Sequence, residues 1–421
     1  MDVELVSIGD ELLLGFTIDT NAAYFARTAA AQGICVVRRA TVGDDAAMIA
    51  AAVRDARDRT GAVITSGGLG PTADDLTKPA LAELFGRRMT LDESILDALR
   101  ARWKARGWPG ELPMANRGQA MIPAGATVLT NRHGSAPGIW LEDERGRWVA
   151  MLPGVPREFR GMTTDELLPR LAARVAATGG GTVVRSRTLR TTGIAESAVA
   201  DLVGALARDS LGVPLAYLPG ADGVDLRLTV RDVPAAEADA RLEAAAAALR
   251  AVVGPWVYGE DETDLAALVL ESLRARGMKL AVAESCTGGM LGMRLTAIAG
   301  SSDVVVGGII AYDDAIKIHQ LGVRAETLRA HGAVSEATAR EMAAGVRTRL
   351  GVDVGVDVGV SVTGIAGPGG GTPEKPVGTF CVAVDVRGEV QSYATATVGD
   401  RHEVRQRAAQ AALALVLRSL R

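Results

Sequence analysis

Residues 62–75 read AVITSGGLGPTADD: an apolar run that passes without a break into a loop of three glycines, hydroxyls and acids. The apolar part, residues 62–65, is too short for a helix and reads as a buried strand that delivers the loop to one edge of a sheet. Working back toward the start, the same alternation occurs twice. Residues 3–8 form an apolar strand ending at Gly9-Asp10, and a helical segment follows over 21–32 until Gly33 stops it. Residues 34–38 read as the second strand and 44–59 as a helix with an acidic first turn. Strand and helix units of this length predict an α/β fold with a doubly covered, mostly parallel sheet. Further strands are expected near 127–129 and 148–152, and this first domain, residues 1–170, closes after the LPGVPREF turn and its helix.

Gly67, Gly68, Gly70 and Thr72 place backbone N–H groups where they can converge on an anion, because a side chain at the glycines would hold a phosphate away. The loop lacks the G-x-x-x-x-G-K-[ST] pattern of a P-loop, so a plain tight turn remains the other reading of this segment alone. Acids crowd the same region: Asp74 and Asp75 beyond the loop, with Asp10, Glu11 and Asp19 at the turn after the first strand. Carboxylates beside a phosphate pocket repel a polyanion unless a cation lies between them, which predicts a divalent ion of the Mg2+ type. Helix caps and solvated loop acids are the alternative for any one of them.

The texture changes at Gly179-Gly180-Gly181, a flexible joint. Residues 182–189 alternate as a strand, 194–208 as a helix, 215–218 and 224–230 as two strands, and 235–249 as a helix. This β-α-β-β-α order predicts a small α+β module over residues 180–255, with Gly220-Ala221-Asp222-Gly223 as a turn. It holds no cluster of acid, base and nucleophile, and reads as a spacer or dimerisation module.

A third domain is expected over residues 260–421, again α/β. A helix over 264–276 precedes a strand over 280–283 that delivers ESCTGG to a helix over 290–298; a strand over 304–312 and a helix over 335–350 follow. In GVDVGVDVGVSV the valines at 352, 354, 356, 358, 360 and 362 keep a period of two, which predicts one long strand. Strands over 380–386 and 393–397 and a helix over 403–420 complete the domain. An amidohydrolase needs a nucleophile, a proton acceptor and an oxyanion stabiliser. The chain has four histidines, His133, His319, His331 and His402; none of the C-terminal three lies in a segment with nucleophile-like context, and the G-x-S-x-G and H-E-x-x-H patterns are missing. What remains is small and polar: ESCTGG, GSSDVVVGGIIAY at 300–312, Lys317, and TGIAGPGG at 363–370. A lysine in such a pocket can serve as base to a serine, against the plain reading of a solvated lysine. Thr363, Gly364, Gly367 and Gly369 offer backbone donors for a phosphate, and Arg401 and Arg405, four residues apart, can present two guanidinium groups on one helix face. A solvent-facing basic helix is the alternative for that pair.

The bulk numbers agree with several packed domains. At 421 residues the chain exceeds a single core, and 48% hydrophobic with 23% charged residues describes a folded protein. A net charge of −4 gives no general reason to bind nucleic acid or an anionic membrane. Three widely spaced cysteines form neither a disulfide framework nor a C-x-x-C site; Cys35 and Cys381 read as small core residues. The start, MDVELVSIGDELL, lacks a basic segment followed by an apolar one, and no stretch has membrane-spanning character, so the cytoplasm is the expected location.

GDELLLGFTIDTNAAYFA, VGDD, TSGGLGPTADDLT, NRGQAMIPAGATVLTNRHGSAPG and LPGVPREF together resemble the competence/damage-inducible protein A family, whose first domain is similar to molybdopterin-binding domains. The resemblance implies metal-assisted hydrolysis of ADP-ribose there, with Gly67, Gly68, Gly70, Thr72 and Asn21 around phosphate and Asp10, Glu11 and Asp75 as metal ligands. AESCTGG, the strand into Tyr312 with Lys317 beyond it, GAVSEATAREMAAG and TGIAGPGGGTPEKPVGTF resemble the C-terminal domain of the same family, similar to nicotinamide mononucleotide deamidases. That implies conversion of nicotinamide mononucleotide to nicotinate mononucleotide and ammonia without a cofactor. Ser302 is the implied nucleophile, Lys317 and Tyr312 the proton-handling pair, Ser285 a supporting hydroxyl, and Thr287 and Gly288 part of the substrate pocket. Two departures stand out: Ser301 where the family usually has alanine, and Asp313-Asp314 beside Lys317. The expected ligands are small nucleotides rather than nucleic acid or membrane, in a homodimer. A nonenzymatic nucleotide-binding protein and a molybdenum-cofactor protein with an extra domain are the competing readings.

Overall fold

The computed structural model describes residues 1–177, 182–209, 211–352 and 355–420. The glycine joint at 179–181 and Val354 lie outside them. The chain divides into two compact units, Met1–Arg185 with Val230–Ala240 and Ser186–Thr229 with Arg241–Arg421.

The first unit opens with β1 (Asp2–Ile8), α1 (Asp10–Leu13), α2 (Thr20–Ala30), β2 (Cys35–Val42), α3 (Ala46–Thr60), β3 (Ala62–Ser66) and α4 (Thr77–Leu84). It continues through β4 (Met89–Leu91), α5 (Glu93–Ala105), β5 (Met121–Pro123), β6 (Thr127–Leu129), β7 (Gly138–Glu142), β8 (Trp148–Leu152), α6 (Pro156–Met162) and α7 (Leu168–Ala177). The main sheet has the order β2-β1-β3-β8-β7-β6. Its first four strands are parallel and the last two antiparallel. Alternation along the strands supplies two cores. Leu5, Ile64 and Ala150 pack with Phe25 and Phe159 on one face; Val6, Val63 and Val149 pack with Ile49 and Val53 on the other. Short polar residues start the covering helices: the Asp19 carboxylate accepts from Ala22 N and that of Asp45 from Met48 N.

The middle module comprises β9 (Thr182–Thr191), α8 (Glu196–Asp209), β10 (Leu215–Pro219), β11 (Val224–Pro234), α9 (Ala235–Val253) and β12 (Val257–Glu260). Its strands run β10-β11-β9-β12, and Gly220 N donates to Gly223 O at 2.8 Å to close the hairpin turn.

The last domain begins with α10 (Leu265–Ala275), β13 (Leu280–Glu284), α11 (Met290–Thr296), β14 (Val305–Ile310), α12 (Asp314–Leu321), α13 (Ala325–His331) and α14 (Glu336–Leu350). It ends with β15 (Val358–Gly364), β16 (Thr379–Val386), β17 (Glu389–Ala396) and α15 (Arg401–Ser419). The sheet order is β14-β13-β15-β16-β17, the first three strands parallel and the rest antiparallel. Val282 and Val360 face Leu270, Leu413 and Val416, whereas Ala281 and Ala283 face Met342 and Val346, so helices cover both faces. The valine run is not one long strand from 352. Its pairing starts where β13 starts, with Val358 opposite Leu280, and Val352 is exposed. Alternation without a neighbouring strand leaves backbone groups unpaired and does not extend a sheet. The short helices α12 and α13 had no clear signal in the sequence. Cys381 is buried as expected, but Cys35 is only half-buried at the start of β2. No described helix is long and apolar enough to cross a membrane.

Candidate active site

Because β13, β14 and β15 are parallel, the turns that leave them emerge at one edge of the sheet, where open α/β sheets hold their ligands. Ser285 follows β13, Tyr312 follows β14, and Thr363 and Gly364 end β15. Backbone bonds draw them together: Ser285 N donates to Val362 O at 2.9 Å and Ala311 N to Glu284 O at 2.7 Å. With Lys317 and Asp314 from α12 and Arg401 from α15, they line a cavity of about 220 Å³.

The turn carrying Ser285 is shaped by Glu284, whose buried carboxylate accepts from Gly289 N, Leu291 N and Gly292 N at 2.9, 3.0 and 2.8 Å. An anion at the start of α11 satisfies amides that a helix leaves without partners. Gly288 and Gly289 take φ of 57° and 96°, a region that disfavours residues with a Cβ. Across the cavity, a Cβ on Gly364 would lie 2.7 Å from the Phe380 Cβ and 3.0 Å from Cys286 Sγ.

Lys317 is among the largest fully buried side chains, at 1% exposure. Its Nζ donates to Tyr312 O at 3.0 Å and lies 3.2 Å from an Asp314 carboxylate oxygen. The neighbouring Asp313 is turned away as the cap of α12, accepting from Ala315 N at 2.7 Å. Of the two aspartates, only Asp314 therefore acts on the lysine. Arg401 spans the mouth, one nitrogen donating to Gly367 O at 2.6 Å and another to Tyr312 Oη at 3.0 Å. Burial pushes the Cys286 thiol up to about 12, so it stays protonated and is a poor nucleophile beside Ser285.

Thr363 both lines this cavity and braces it, whereas Arg405, Thr287, Gly367 and Gly369 lie outside the lining. Thr363 Oγ1 donates to Ala333 O at 2.8 Å, fixing the end of β15 against the loop before α14. Arg405 donates to Thr287 O at 2.7 Å and holds the Ser285 turn from behind; it does not stand beside Arg401 as a second phosphate ligand. Thr287 is fully buried, and its Oγ1 has no hydrogen-bond partner among the described residues. Gly367 and Gly369 lie in the loop beyond the lining.

Ser302 lies apart from this cavity. It sits in the short turn ahead of β14, exposed, next to the Asp303 that pairs with Arg274. Tyr312 and Lys317 come after the opposite end of the same strand. Six residues of extended chain span about 20 Å, so Ser302 cannot share a proton with Lys317. Ser301 is buried in that turn and equally remote from the cavity.

The N-terminal unit has its own cavity, about 490 Å³, at the carboxyl ends of β1, β3 and β8. Gly67, Gly68 and Gly70 line it, and Gly67 has no alternative: a Cβ there would lie 2.2 Å from Ile8 O. Asn21 lies behind it, its amide donating to Ser66 Oγ at 2.9 Å and Gly154 O at 2.7 Å, so it ties two of the loops together. Asp75 is turned into its own loop, one oxygen accepting from Gly70 N and the other from Thr72 N and Oγ1. Asp10 interlocks with Asp44 through backbone amides instead of facing the cavity. The set Asp10, Glu11 and Asp75 is therefore not gathered, and no three His, Cys, Asp or Glu side chains converge as a metal site among the described residues. The lining nonetheless carries Glu11, Asp44, Asp74, Asp75 and Glu158 with no lysine, arginine or histidine. That donor set fits a cation held by one or two carboxylates and completed by phosphate and water, the common Mg2+ arrangement.

The chain matches the CinA C-terminal domain over residues 262–420, a probable molybdopterin binding domain over 4–173, and a damage-inducible protein CinA KH domain over 186–259. It is 62% identical over 413 residues to a CinA-like protein of Gemmatimonas aurantiaca, covering 98% of this chain and 95% of that one. This chain belongs to the CinA-like family. A second CinA-like protein, from Salinibacter ruber, is 41% identical over 422 residues and matches along 100% of both chains. Among solved structures, competence/damage inducible protein CihA from Agrobacterium tumefaciens is 41% identical, covering 37% of this chain and 93% of its own, with a TM-score of 0.35.

For this CinA-like chain, the structure brings Ser285, Tyr312 and Lys317 to one cavity and leaves Ser302, the expected nucleophile, outside it. A signal for Ser285 was present: it directly follows a core strand and opens a glycine-tight turn into a helix, the placement of nucleophiles on strand–turn–helix elbows. Glu284, Asp44 and Glu158 were missed because an acid in a strand or loop has no spacing that announces its partners.

Proposed function

We propose that the C-terminal domain of this CinA-like protein hydrolyses the carboxamide of nicotinamide mononucleotide, giving nicotinate mononucleotide and ammonia, with Ser285 as nucleophile and Lys317 as base. The observation that carries this reading is that Ser285 and the buried Lys317 line one small cavity at the carboxyl edge of the sheet. Lys317 takes the Ser285 Oγ proton as Oγ bonds to the carboxamide carbon, and the Asp314 carboxylate stabilises the ammonium so formed. Backbone N–H groups of the surrounding turns hold the oxyanion. Collapse breaks the C–N bond, and the nitrogen leaves as ammonia with the proton from Lys317. Water then attacks the acyl ester by the same route, its proton passing through Lys317 back to Ser285 Oγ. Serine, lysine and water account for every proton in this cycle. A cavity of about 220 Å³ suits the pyridine ring, leaving ribose and phosphate toward Tyr312 and Arg401 at the mouth.

For the N-terminal domain we infer hydrolysis of the diphosphate in ADP-ribose. The supporting observation is a cavity with a glycine loop on one wall and several carboxylates around it, with no lysine, arginine or histidine in its lining. A divalent cation, when bound, would neutralise the diphosphate; Glu11, Asp44 and Asp74 are the residues that would hold it. The glycine loop lets a diphosphate approach the backbone, and Asn21 keeps the loops after β3 and β8 in place.

The deciding experiment incubates the purified chain with nicotinamide mononucleotide and follows ammonia and nicotinate mononucleotide. Product formation with turnover supports the deamidase reading; no product at enzyme concentrations matching substrate overturns it. In parallel, ADP-ribose cleavage to AMP is measured with Mg2+ and with chelator. Equal rates in both would remove the cation from the second reading.

A further inference from the structure

The second unit holds another cleft, about 760 Å³, that shares no residue with the Ser285 cavity. One wall is α15, which presents Arg407, Gln410, Ala411, Ala414 and Arg418 along a single helical face. Opposite stand the Gly220–Gly223 turn residues and the segment after β9, and Phe380 and Tyr393 supply apolar surface.

Gln410 is the anomaly. It is 2% exposed, yet neither its Oε1 nor its Nε2 has a hydrogen-bond partner among the described residues. A buried amide with both atoms unpaired is costly to keep, and its nearest neighbours on this face are Ala411 and Ala414. The side chain lines the cleft, offering a donor and an acceptor side by side. Charge along the same wall is positive. Arg418 lies 5.7 Å from the Tyr393 ring centroid, and Arg407 donates to Thr397 Oγ1 and Val398 O at the rim. The acids present are Asp222 and Glu196; Asp222 is matched by Arg190 and Arg294 at 3.7 and 3.5 Å.

We propose that this cleft is a second ligand site for a mononucleotide, with the base pairing its adjacent donor and acceptor against Gln410 and the phosphate directed to Arg418. Eight residues separate the two along α15, about 12 Å, the span between the base edge and phosphate of an extended nucleotide. Glutamine pairs in this way with the adenine amino edge, and the nicotinamide carboxamide offers the same donor and acceptor.

The test is calorimetric titration of the full chain with AMP and, separately, with nicotinamide mononucleotide, on the wild type, Gln410→Leu and Arg418→Ala. The expected result is a binding component for at least one ligand that each substitution weakens about tenfold or more. AMP as the affected ligand assigns an adenine nucleotide, and nicotinamide mononucleotide assigns a pyridine nucleotide. Melting of the ligand-free proteins guards against misfolding: Gln410→Leu removes two unpaired polar atoms and is expected to melt at or above the wild-type temperature. Isotherms for both ligands that are unchanged in Gln410→Leu overturn the proposal. So does a lower melting temperature for that variant, because it would show that the amide has a structural partner.

Discussion

The choice between Ser285 and Ser302 sets up the sharpest test of the catalytic reading. Ser285→Ala removes only the hydroxyl; the backbone bond from its N–H to Val362 O at 2.9 Å, which sets the turn, is untouched. Stability is expected to change by less than about 1 kcal/mol. Activity is a different matter: in serine hydrolases where nucleophile and base act as a unit, losing the nucleophile costs on the order of 10⁶ in kcat. Ser302 lies about 20 Å away along β14, against the roughly 3 Å that a nucleophile needs, so Ser302→Ala is expected to keep kcat/KM within about twofold. The assay is single-turnover deamidation with enzyme in excess over nicotinamide mononucleotide, reading ammonia and nicotinate mononucleotide. Mass spectrometry of the quenched wild-type enzyme is expected to find the acyl group of nicotinate mononucleotide, ribose phosphate included, on the peptide containing Ser285. A Ser285→Ala protein that turns over at the wild-type rate, or a dead Ser302→Ala protein that still melts normally, would refute the geometry-based assignment.

Three further outcomes follow from contacts already described. Glu284→Gln replaces an acceptor-only group with one that must point an NH2 at a backbone N–H, and is expected to cost about 2–4 kcal/mol in urea unfolding and to abolish deamidation; wild-type stability would contradict the turn's dependence on that carboxylate. Arg401→Ala removes charge-assisted bonds to Gly367 O and Tyr312 Oη, and is expected to raise KM about 10- to 100-fold with a smaller change in kcat; an unaltered KM would take Arg401 out of substrate positioning. Lys78 in α4 donates to Gly118 O and Gln119 O, and burial lowers its pKa from 10.5 to about 8. Between those values the unfolded chain keeps a proton that the folded chain has released, so stability rises with pH from about 8 to 10.5 by up to about 3 kcal/mol, the burial penalty being complete below pH 8. Lys78→Met is expected to remove that rise in urea titrations across this range; parallel curves for both proteins would show that the lysine is not the source.

The parts of this protein legible in its sequence are those governed by local periodicity. The helices capped by Asp19, Asp45 and Ser335, the apolar strands β1, β3 and β13, and the glycine loops after them all follow from side-chain spacing and backbone preference, which act within a few residues. The family resemblance rests on the same short segments and brought the α/β domains with it. Strand partners are another matter: the valine run alternates from 352, yet only the length of β13 decides that β15 begins at Val358.

The same division runs through the sites. Residue types alone marked the hydroxyl- and glycine-rich segments at the strand ends, and the family resemblance singled out Ser285, Ser302, Tyr312 and Lys317 within and beside them. Sequence could not order the two serines, since Ser285 and Ser302 sit in similar company along the chain, one just after a parallel strand and one just before. Only the shared direction of β13, β14 and β15 separates the two edges of the sheet. Nor could it show that Asp75 is spent on its own loop, or that Gln410 is buried with its amide unpaired. Those outcomes depend on which groups distant segments bring within hydrogen-bond reach, and that is decided by tertiary packing.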